Sequence, residues 1–511
     1  MEDLAGLFPN LVLGFSTAVT LQNLTYCFIG VFIGTLVGVL PGIGPLAAIA
    51  MLLPATFNLP PVGALIMLSG IYYGTQYGGS TTSILVNLPG ESASVVTCID
   101  GHQMAKQGRA GPALAIAAIG SFFAGTVGTI LIALFGPPLA EMALKFGAPE
   151  YFSLMVMGLL AASVLGSGSF LKAIAMIFLG LLIGIVGTDV NSGMSRFTFG
   201  ASGLADGLSF VVVAMGLFGF AEILSNLEKG QEAATRSLLS AKIEHLYPTW
   251  KDMKLSMGPI MRGTAIGAFF GTLPGAGPTI SAFLSYALEK KIARHPEEFG
   301  TGAIQGVAGP ESANNAAAQC AFIPTLTLGI PGSGTMALML GALTIQGIAP
   351  GPQVMTQRPE LFWGLIASMW IGNALLVVLN LPLIGLWVKV LQVPYRYLFP
   401  SILSFMAIGV YSVNNLDLDI YMTIVFGVLG YVFMKLKCEP APLILAFVLG
   451  PLMEENLRRA LLISRGDPTV FMTRPISAGF LIASVLLLII MILPAVRKKR
   501  HAVLEEEEQP V

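Results

Sequence analysis

The sequence predicts an all-α integral membrane protein, a polytopic helical bundle of two inverted repeats with broken helices and re-entrant hairpins. Three observations lead there. Of the 511 residues 55% are apolar and only 11% charged, whereas soluble domains carry about a quarter charged residues, and the mean hydropathy is +0.79. The charges also fall in blocks, with none from Ala110 to Ala140, between Glu311 and Arg358, or between Pro475 and Leu493. Runs of that length cross a hydrocarbon core of about 30 Å as helices. They are too long and continuous for the alternating strands of a membrane barrel. Finally, the same Pro-Gly motifs occur twice, in the same order, on the two sides of one polar stretch.

Taken in order, apolar segments cover Leu24–Pro54, Val62–Ile99, Pro112–Met142, Tyr151–Leu165, Phe170–Val186 and Leu208–Ile223. The only long polar stretch follows, Ser225–Leu255. Beyond it lie Gly258–Leu288, Gly302–Ile348, Leu361–Val388, Leu398–Val413, Ile420–Phe433, Ala441–Leu452 and Ile476–Val496. The tail carries Arg497-Lys498-Lys499-Arg500 and then Glu505–Glu508, a basic stop followed by a solvated acidic end, which places the C-terminus in the cytoplasm. The expected division is residues 1–224 as a first membrane repeat, 225–257 as a polar cytoplasmic connector and 258–452 as a second repeat. Residues 453–511 form a C-terminal segment with a last transmembrane helix and the tail. The first Lys or Arg is Lys106, so the basic n-region of a cleaved signal peptide is missing and direct insertion into the membrane is expected.

The repeat rests on three matches. Leu40-Pro41-Gly42-Ile43-Gly44-Pro45 matches Leu273-Pro274-Gly275-Ala276-Gly277-Pro278; Asn87-Leu88-Pro89-Gly90 matches Gly329-Ile330-Pro331-Gly332; and the Gly-Pro ending at Pro112 matches the one ending at Pro352. Cytoplasmic loops are enriched in Lys and Arg, and matched loops here carry opposite bias. Lys290, Lys291 and Arg294 are basic where Phe57–Pro61 is bare, while Lys106 and Arg109 are basic where Leu343–Gly351 is bare. Opposite bias implies opposite orientation, the arrangement common in secondary transporters. Arg458, Arg459, Arg465 and Arg474 fit this scheme only if Ala441–Leu452 is re-entrant or the charge rule fails locally.

Several function classes are excluded or disfavoured. Four cysteines without metal spacing read as small buried hydrophobes, and the four histidines lie in polar segments, which removes a haem or redox-metal core. No cofactor is expected, nor is nucleic acid a plausible partner. An intramembrane enzyme would need a base or metal ligands at membrane depth, and neither HExxH nor GxSxG occurs; an anion channel remains the other alternative. The chain is therefore not expected to be an enzyme.

The chemistry is expected where helices break. Proline removes a donor and glycine releases the backbone, and irregular backbone at membrane depth must line a cavity or be buried in protein. Around the first break stand Ser80, Thr81, Thr82, Ser83, Asn87, Pro89, Gly90, Glu91 and Ser92; around the second stand Asn314, Asn315, Thr325, Thr327, Pro331, Gly332, Ser333 and Thr335. Hydroxyls, amides and the positive ends of half-helices suit a carboxylate, while freed carbonyls near Asn87, Gly90, Thr327 and Gly332 suit a sodium ion. Each residue can also be read as polar glue between helices. Glu91 and Glu311 are ionisable groups inside apolar sequence, hence functional, paired or capping. The other motif pair, with Pro41, Gly42, Gly44 and Pro45 and with Pro274, Gly275, Gly277 and Pro278, reads as hairpin tips or, equally, as glycine-rich helix packing. Lys251, Lys254 and Arg262 before it and Lys290, Lys291 and Arg294 after it favour a segment entering and leaving on one side. A P-loop is excluded, since no Lys-Ser or Lys-Thr follows the glycines.

At LPGIGP, YGGSTTSILVNLPGE, TCIDGHQMAKQGRAGPAL, LPGAGP, GPESANNAA and PTLTLGIPGS the chain resembles the large transmembrane subunit of the tripartite tricarboxylate transporter family, from about Thr25 to Leu452. His102-Gln103 and Gln319-Cys320 depart from the family pattern. The resemblance implies binding-protein-dependent uptake of citrate or a related tricarboxylate or dicarboxylate across the bacterial inner membrane, driven by a gradient of a coupling cation, sodium or proton. It implies two partners besides the bilayer, a small membrane subunit and a periplasmic solute-binding protein.

Overall fold

The computed structural model describes residues 2–40, 44–165, 170–189, 192–229, 246–273, 277–390 and 395–492. Pro41, Gly42, Pro274, Gly275, much of the 225–257 connector and the charged tail lie outside them. The chain is overwhelmingly helical, and the strands among the described residues are a two-residue antiparallel pair, Gly187–Thr188 with Ser195–Arg196. Four described helices are long and apolar enough to cross a membrane: Leu21–Gly38, Ala110–Ala143, Pro359–Asn380 and Asp417–Lys435. This is the all-α polytopic membrane protein expected from the composition.

The chain forms two compact units, one of Met1–Glu141 with Val211–Tyr431 and one of Met142–Phe210 with Val432–Val511. The first unit draws on both sides of the polar stretch and contains every described motif residue named above. Its architecture follows from glycine spacing. In the Leu21–Gly38 helix, capped by the Thr20 hydroxyl on Asn23 N, Gly30, Gly34 and Gly38 stand four apart and so share one face. A Cβ at Gly34 would meet the Ile71 carbonyl oxygen at 2.5 Å, one at Gly38 would meet the Thr75 oxygen at 2.5 Å, and Gly30 faces the Met67 carbonyl in the same way. Backbones thus touch along this face, as small residues allow in membranes.

These contacts also fix direction. Positions 30, 34 and 38 meet 67, 71 and 75 in rising order, so Leu21–Gly38 and Pro61–Val86 run parallel. Parallel neighbours require the chain to travel back between them. An 18-residue arm is about 27 Å long. The Pro45–Leu52 helix and the Leu53–Thr56 3-10 turn return about 20 Å of that before the short link to Pro61. The return ends where the arm began, because Gly63 packs against the Tyr26 ring and Asn23. Arm and return form a helical hairpin. Gly44 caps the returning helix and Pro45 opens it, where proline's fixed φ and missing N–H cost nothing.

The second half repeats the construction. Trp250–Gly271 starts from a capping box between Thr249 and Asp252. Its Gly263, Gly267 and Gly271 press on the carbonyls of Gly309, Ala313 and Ala317, so it runs parallel to Gln305–Cys320. The Gly277–Ile292 helix makes the return, opening at Gly277 with φ +54°, a value glycine adopts without a Cβ penalty. Arg262 binds Glu289 through Nε at 2.8 Å and Nη2 at 2.7 Å, which ties arm to return. A shift of 233 positions carries 30, 34 and 38 onto 263, 267 and 271, and one of 242 carries 67, 71 and 75 onto 309, 313 and 317. The same two shifts superpose the LPGIGP and NLPG motifs on their partners. The motif repeat is therefore a repeat of packing as well.

The second unit pairs Ala148–Leu165 and Phe170–Gly184 with Ala441–Ile463 and Pro475–Ile492. Gly180 packs directly on the Leu443 carbonyl, and Arg474 binds the buried Glu150 at 2.5 Å. The apolar stretch Ala441–Leu452 is only the first half of a helix that continues to Ile463. Arg458 on its second half bonds Glu454 at 2.6 Å and Asp189 at 3.2 Å, and Arg459 pairs with Glu455. These two arginines sit on the helix itself, paired with acids, which makes their charge a poor reporter of a loop's side.

Candidate functional site where four helix interruptions meet

The two Pro-Gly breaks have the same backbone. Pro61–Val86 ends at Asn87, which takes the left-handed conformation at φ 57°, and Phe322–Leu328 ends at Gly329 with φ 70°. Asparagine and glycine are the residues that tolerate this C-terminal cap. Four positions further on, Glu91 (φ −149°, ψ 167°) and Ser333 (φ −155°, ψ 168°) are extended and precede the next helical turn. Ser333 Oγ accepts from Met336 N at 3.2 Å and so caps Gly334–Ile345. Glu91 stands in a reciprocal cap with Ser94, whose Oγ accepts from Glu91 N at 3.2 Å.

Each break rests on the end of its own hairpin arm. A Cβ at Gly90 would lie 2.7 Å from Gly38 O, and one at Gly332 would lie 3.5 Å from Gly271 O. Gly44, at the start of the first return, faces Gly90 O and the Glu91 Cβ at 4.0 Å. The hairpin ends and the Pro-Gly breaks are thus one locality, approached from two repeats.

The repeats then bond to each other. Asn314 Nδ2 donates to Glu91 Oε1 at 2.8 Å, and the Tyr72 hydroxyl faces the Ser333 side chain. The shift of 242 carries 72 onto 314 and 91 onto 333. The two approaches therefore correspond with the repeats exchanged, as a two-fold relation between the repeats would produce. Gln76 lies between them: with its amide nitrogen turned toward this pair it donates to Glu91 Oε2 at 3.0 Å and Asn314 Oδ1 at 2.8 Å. Ser92 Oγ meets Thr279 Oγ1, on the second return helix, at 2.8 Å.

A second buried carboxyl stands beside this cluster. Glu311, 1% exposed, accepts from Ser80 Oγ at 2.6 Å and from the Thr97 hydroxyl. Ser80 also lines a cavity of about 10 Å³ with Tyr77, Thr81, Leu114, Ala117, Ala118, Ser121 and Asn380. That is room for one water. The Tyr77 hydroxyl and Asn380 Oδ1 have no protein partner, and Asn315 Nδ2 donates to Ser121 Oγ at 2.7 Å.

Not every residue singled out from sequence joins the cluster. Thr325 and Thr327 bond the carbonyls of Ala321 and Ile323 on their own helix, each at 2.7 Å. Thr82 bonds Val39 O at 2.9 Å and so serves the hairpin packing. Ser83 and Thr335 are buried, Pro331 and Gly332 are buried in the break, Pro89 is half-buried, and Asn87 and Ser92 are exposed. Thr81 and Asn315 belong to the cavity wall and its neighbour. Tyr72, Gln76, Thr97, Ser121 and Asn380 take part without having been counted among the site residues. Tyr72, Gln76 and Ser80 follow at four-residue spacing, a polar face inside an apolar helix, and that signal was available.

Asp100 adds a clasp next to the cluster. Its Oδ1 accepts from the backbone N of Gly300, Gly302 and Ala303 at 2.8, 2.8 and 2.9 Å, and its Oδ2 accepts from the Tyr286 hydroxyl at 2.9 Å. The helix after the first break is held to the segment leading into Gln305–Cys320.

The sequence profile of the tripartite tricarboxylate transporter TctA family matches residues 24–445, a span that takes in all four interruptions. The chain belongs to that family. It is 59% identical, over 98% of its length and 99% of the relative's, to an uncharacterized 52.8 kDa protein in the TAR-I ttuC' 3' region of Agrobacterium vitis. It is 60% identical, over 47% of its length and 100% of the relative's, to an uncharacterized protein in the TAR-II ttuC' 3' region of the same organism. No solved structure matches it. Membership of the TctA family makes it a transport protein subunit of a tripartite system and agrees with its multi-pass helical architecture.

Proposed function

We propose that this TctA-family chain carries a small di- or tricarboxylate across the bacterial inner membrane by secondary active transport, with its C-terminus in the cytoplasm. The observation that carries the reading is the convergence of four helix interruptions, two from each repeat, on one buried polar cluster. Broken helices in corresponding positions of two repeats form transporter binding sites, and the opposite charge bias of matched loops supports antiparallel repeats. The groups offered there are hydroxyls and amides, above all Asn314, Ser333 and Ser80, with the backbone of the two breaks. They bind a carboxylate without a fixed positive partner.

Coupling to a cation follows from charge. The cluster holds Glu91 and Glu311, and no hydrogen bond or ion pair joins either to a Lys or Arg among the described residues. An anionic substrate would be repelled by such a site in low dielectric. A cation that arrives with the substrate removes the repulsion, and transport then draws on its gradient. The delivery of substrate by a periplasmic solute-binding protein and the presence of a small membrane subunit are taken from the family's tripartite organisation.

Vesicles holding the full chain with its partner subunits and binding protein should accumulate labelled di- or tricarboxylate when a sodium or proton gradient is imposed. They should fail to do so when the gradient is collapsed or the binding protein is left out. Uptake that is linear in concentration and indifferent to any gradient would make the protein an anion channel instead.

A further inference from the structure

Two glutamates share the site, and their surroundings differ in kind. Glu91 receives only donors, from Asn314 and Gln76, and none of these contacts changes with its proton. Glu311 faces two hydroxyls, and hydroxyls can donate or accept.

The Ser80 hydroxyl decides what Glu311 can do. Ser80 Oγ lies 2.6 Å from Glu311 Oε2 and 3.0 Å from the Gln76 carbonyl oxygen, yet it has a single proton to give. When that proton goes to the Gln76 carbonyl, the usual back-bond of a helical serine, the short contact to Glu311 requires a proton on Oε2. Thr97 meanwhile donates to Oε1. When Glu311 is ionised, Ser80 turns its proton to Oε2, and the Gln76 carbonyl keeps its helical partner. Both protonation states are hydrogen-bonded, and they differ by one hydroxyl rotation. A residue that must gain and lose a proton inside a membrane needs that property, since an unsatisfied state would be prohibitively costly.

We propose that Glu311 is the proton carrier of transport, loaded through Ser80 from the water-sized cavity beside it. In loading, a hydronium ion in the cavity gives a proton to Ser80 Oγ while Ser80 passes its own to Glu311 Oε2, leaving water and a neutral acid. Unloading reverses the sequence. The other titratable groups facing Glu311 are Tyr77 on the wall of the neighbouring cavity, Cys98 beside Thr97, and Glu91 across the cluster. None of them shares the Ser80 switch. The Tyr77 hydroxyl and Asn380 Oδ1, lacking protein partners, are the groups that would hold the cavity water. This inference rests on the transport reading above and names its coupling ion.

The test separates net accumulation from exchange in vesicles holding the full chain and its partners, with labelled citrate and a panel of di- and tricarboxylates as probes. Gln at position 311 imitates the protonated acid. Glu311→Gln should cut accumulation driven by a proton gradient at least tenfold, and should reduce exchange of internal for external substrate far less, because exchange needs no net proton movement. Accumulation close to wild type, or an equal loss of both activities in a protein that elutes as folded, overturns the proposal. Should Glu311→Gln fail to fold, Glu311→Asp carries the test: its accumulation should have a displaced pH profile, and an unchanged profile overturns the idea. A wild type driven by sodium alone at fixed pH also overturns it. A wild type that neither exchanges nor accumulates any carboxylate sinks the transport reading instead, which keeps the two failures apart.

Discussion

Asn314 and Glu91 meet at 2.8 Å across 223 positions of sequence, and Tyr72 meets Ser333 in the corresponding place. Each pair joins a residue in the body of one repeat's long helix to the residue that restarts the chain after the other repeat's break. Each repeat therefore meets the other's broken end.

Asn314→Ala removes a donor from a carboxylate inside the protein. Losing a hydrogen bond to a buried charged group costs about 1.5–3 kcal/mol. The variant should melt lower in detergent and accumulate substrate at least tenfold less than wild type. Asn314→Asp should be worse on both counts, because it sets a second carboxylate against Glu91. Wild-type melting and uptake in Asn314→Ala would remove this bond from any role.

The glycine faces give a graded test of the hairpins. Gly34→Ala and Gly267→Ala each drive a Cβ into a carbonyl of the parallel helix, at Ile71 and Ala313 respectively. Overpacking of that kind costs about 1–3 kcal/mol and should show as a lower melting temperature and lost uptake. Gly385→Ala meets nothing within 4 Å and should behave as wild type. Equal behaviour of all three would contradict the parallel-arm packing.

Asp100 takes three backbone N–H groups and a tyrosine hydroxyl. Asp100→Ala should destabilise by about 2–4 kcal/mol, the sum expected for lost charge-assisted bonds with partial repair by water. Limited proteolysis should then cut first between Arg294 and Ile304. Protection of that segment equal to wild type would mean that the clasp does not hold it.

Arg262 and Glu289 bind through two nitrogens, and the Glu289 side chain is 3% exposed while that of Arg262 is 43% exposed. Arg262→Ala should cost more than Glu289→Ala does in the Arg262→Ala background, since it leaves a buried acid without its partner. A double-mutant cycle on melting should return a coupling of about 1–3 kcal/mol, reduced from a buried-pair value because the arginine is partly solvated. Additive losses would show the pair to be independent.

Re-entrant hairpins in antiparallel repeats would fix which positions are reached from which side. In a background without native cysteines, Val19→Cys and Asn58→Cys should react with an impermeant thiol reagent from one side of the membrane. Trp250→Cys and Arg294→Cys should react from the other. Labelling of positions 19 and 58 from opposite sides would replace the first hairpin by a crossing, and labelling of 58 and 294 from the same side would make the repeats parallel.

Much of this was legible in the residues. The Pro-Gly motifs announced the interruptions because few helices survive that pair, and helices start at Pro45 and Gly277 just beyond the first glycine of each LPGIGP-type motif. The site's membership was harder. Thr325 and Thr327 look as promising as Ser80 in sequence, yet they bond their own helix one turn back, whereas Ser80 also reaches Glu311 across 231 positions. A hydroxyl in an apolar helix always has the carbonyl one turn back as a fallback partner. Only the neighbour supplied by packing decides whether it uses another.

Sequence by itself determined that the chain lives in a bilayer, that it is helical, that it is built twice, and where its helices must break. Those properties depend on hydropathy, periodicity and backbone chemistry, which are local. The tertiary structure decided which of many equivalent hydroxyls, amides and acids meet, that the arms run parallel and return, and that the two breaks are held by each other's repeat. Those outcomes depend on close approach of backbones along glycine faces and on partners more than two hundred residues away, and no local pattern encodes them.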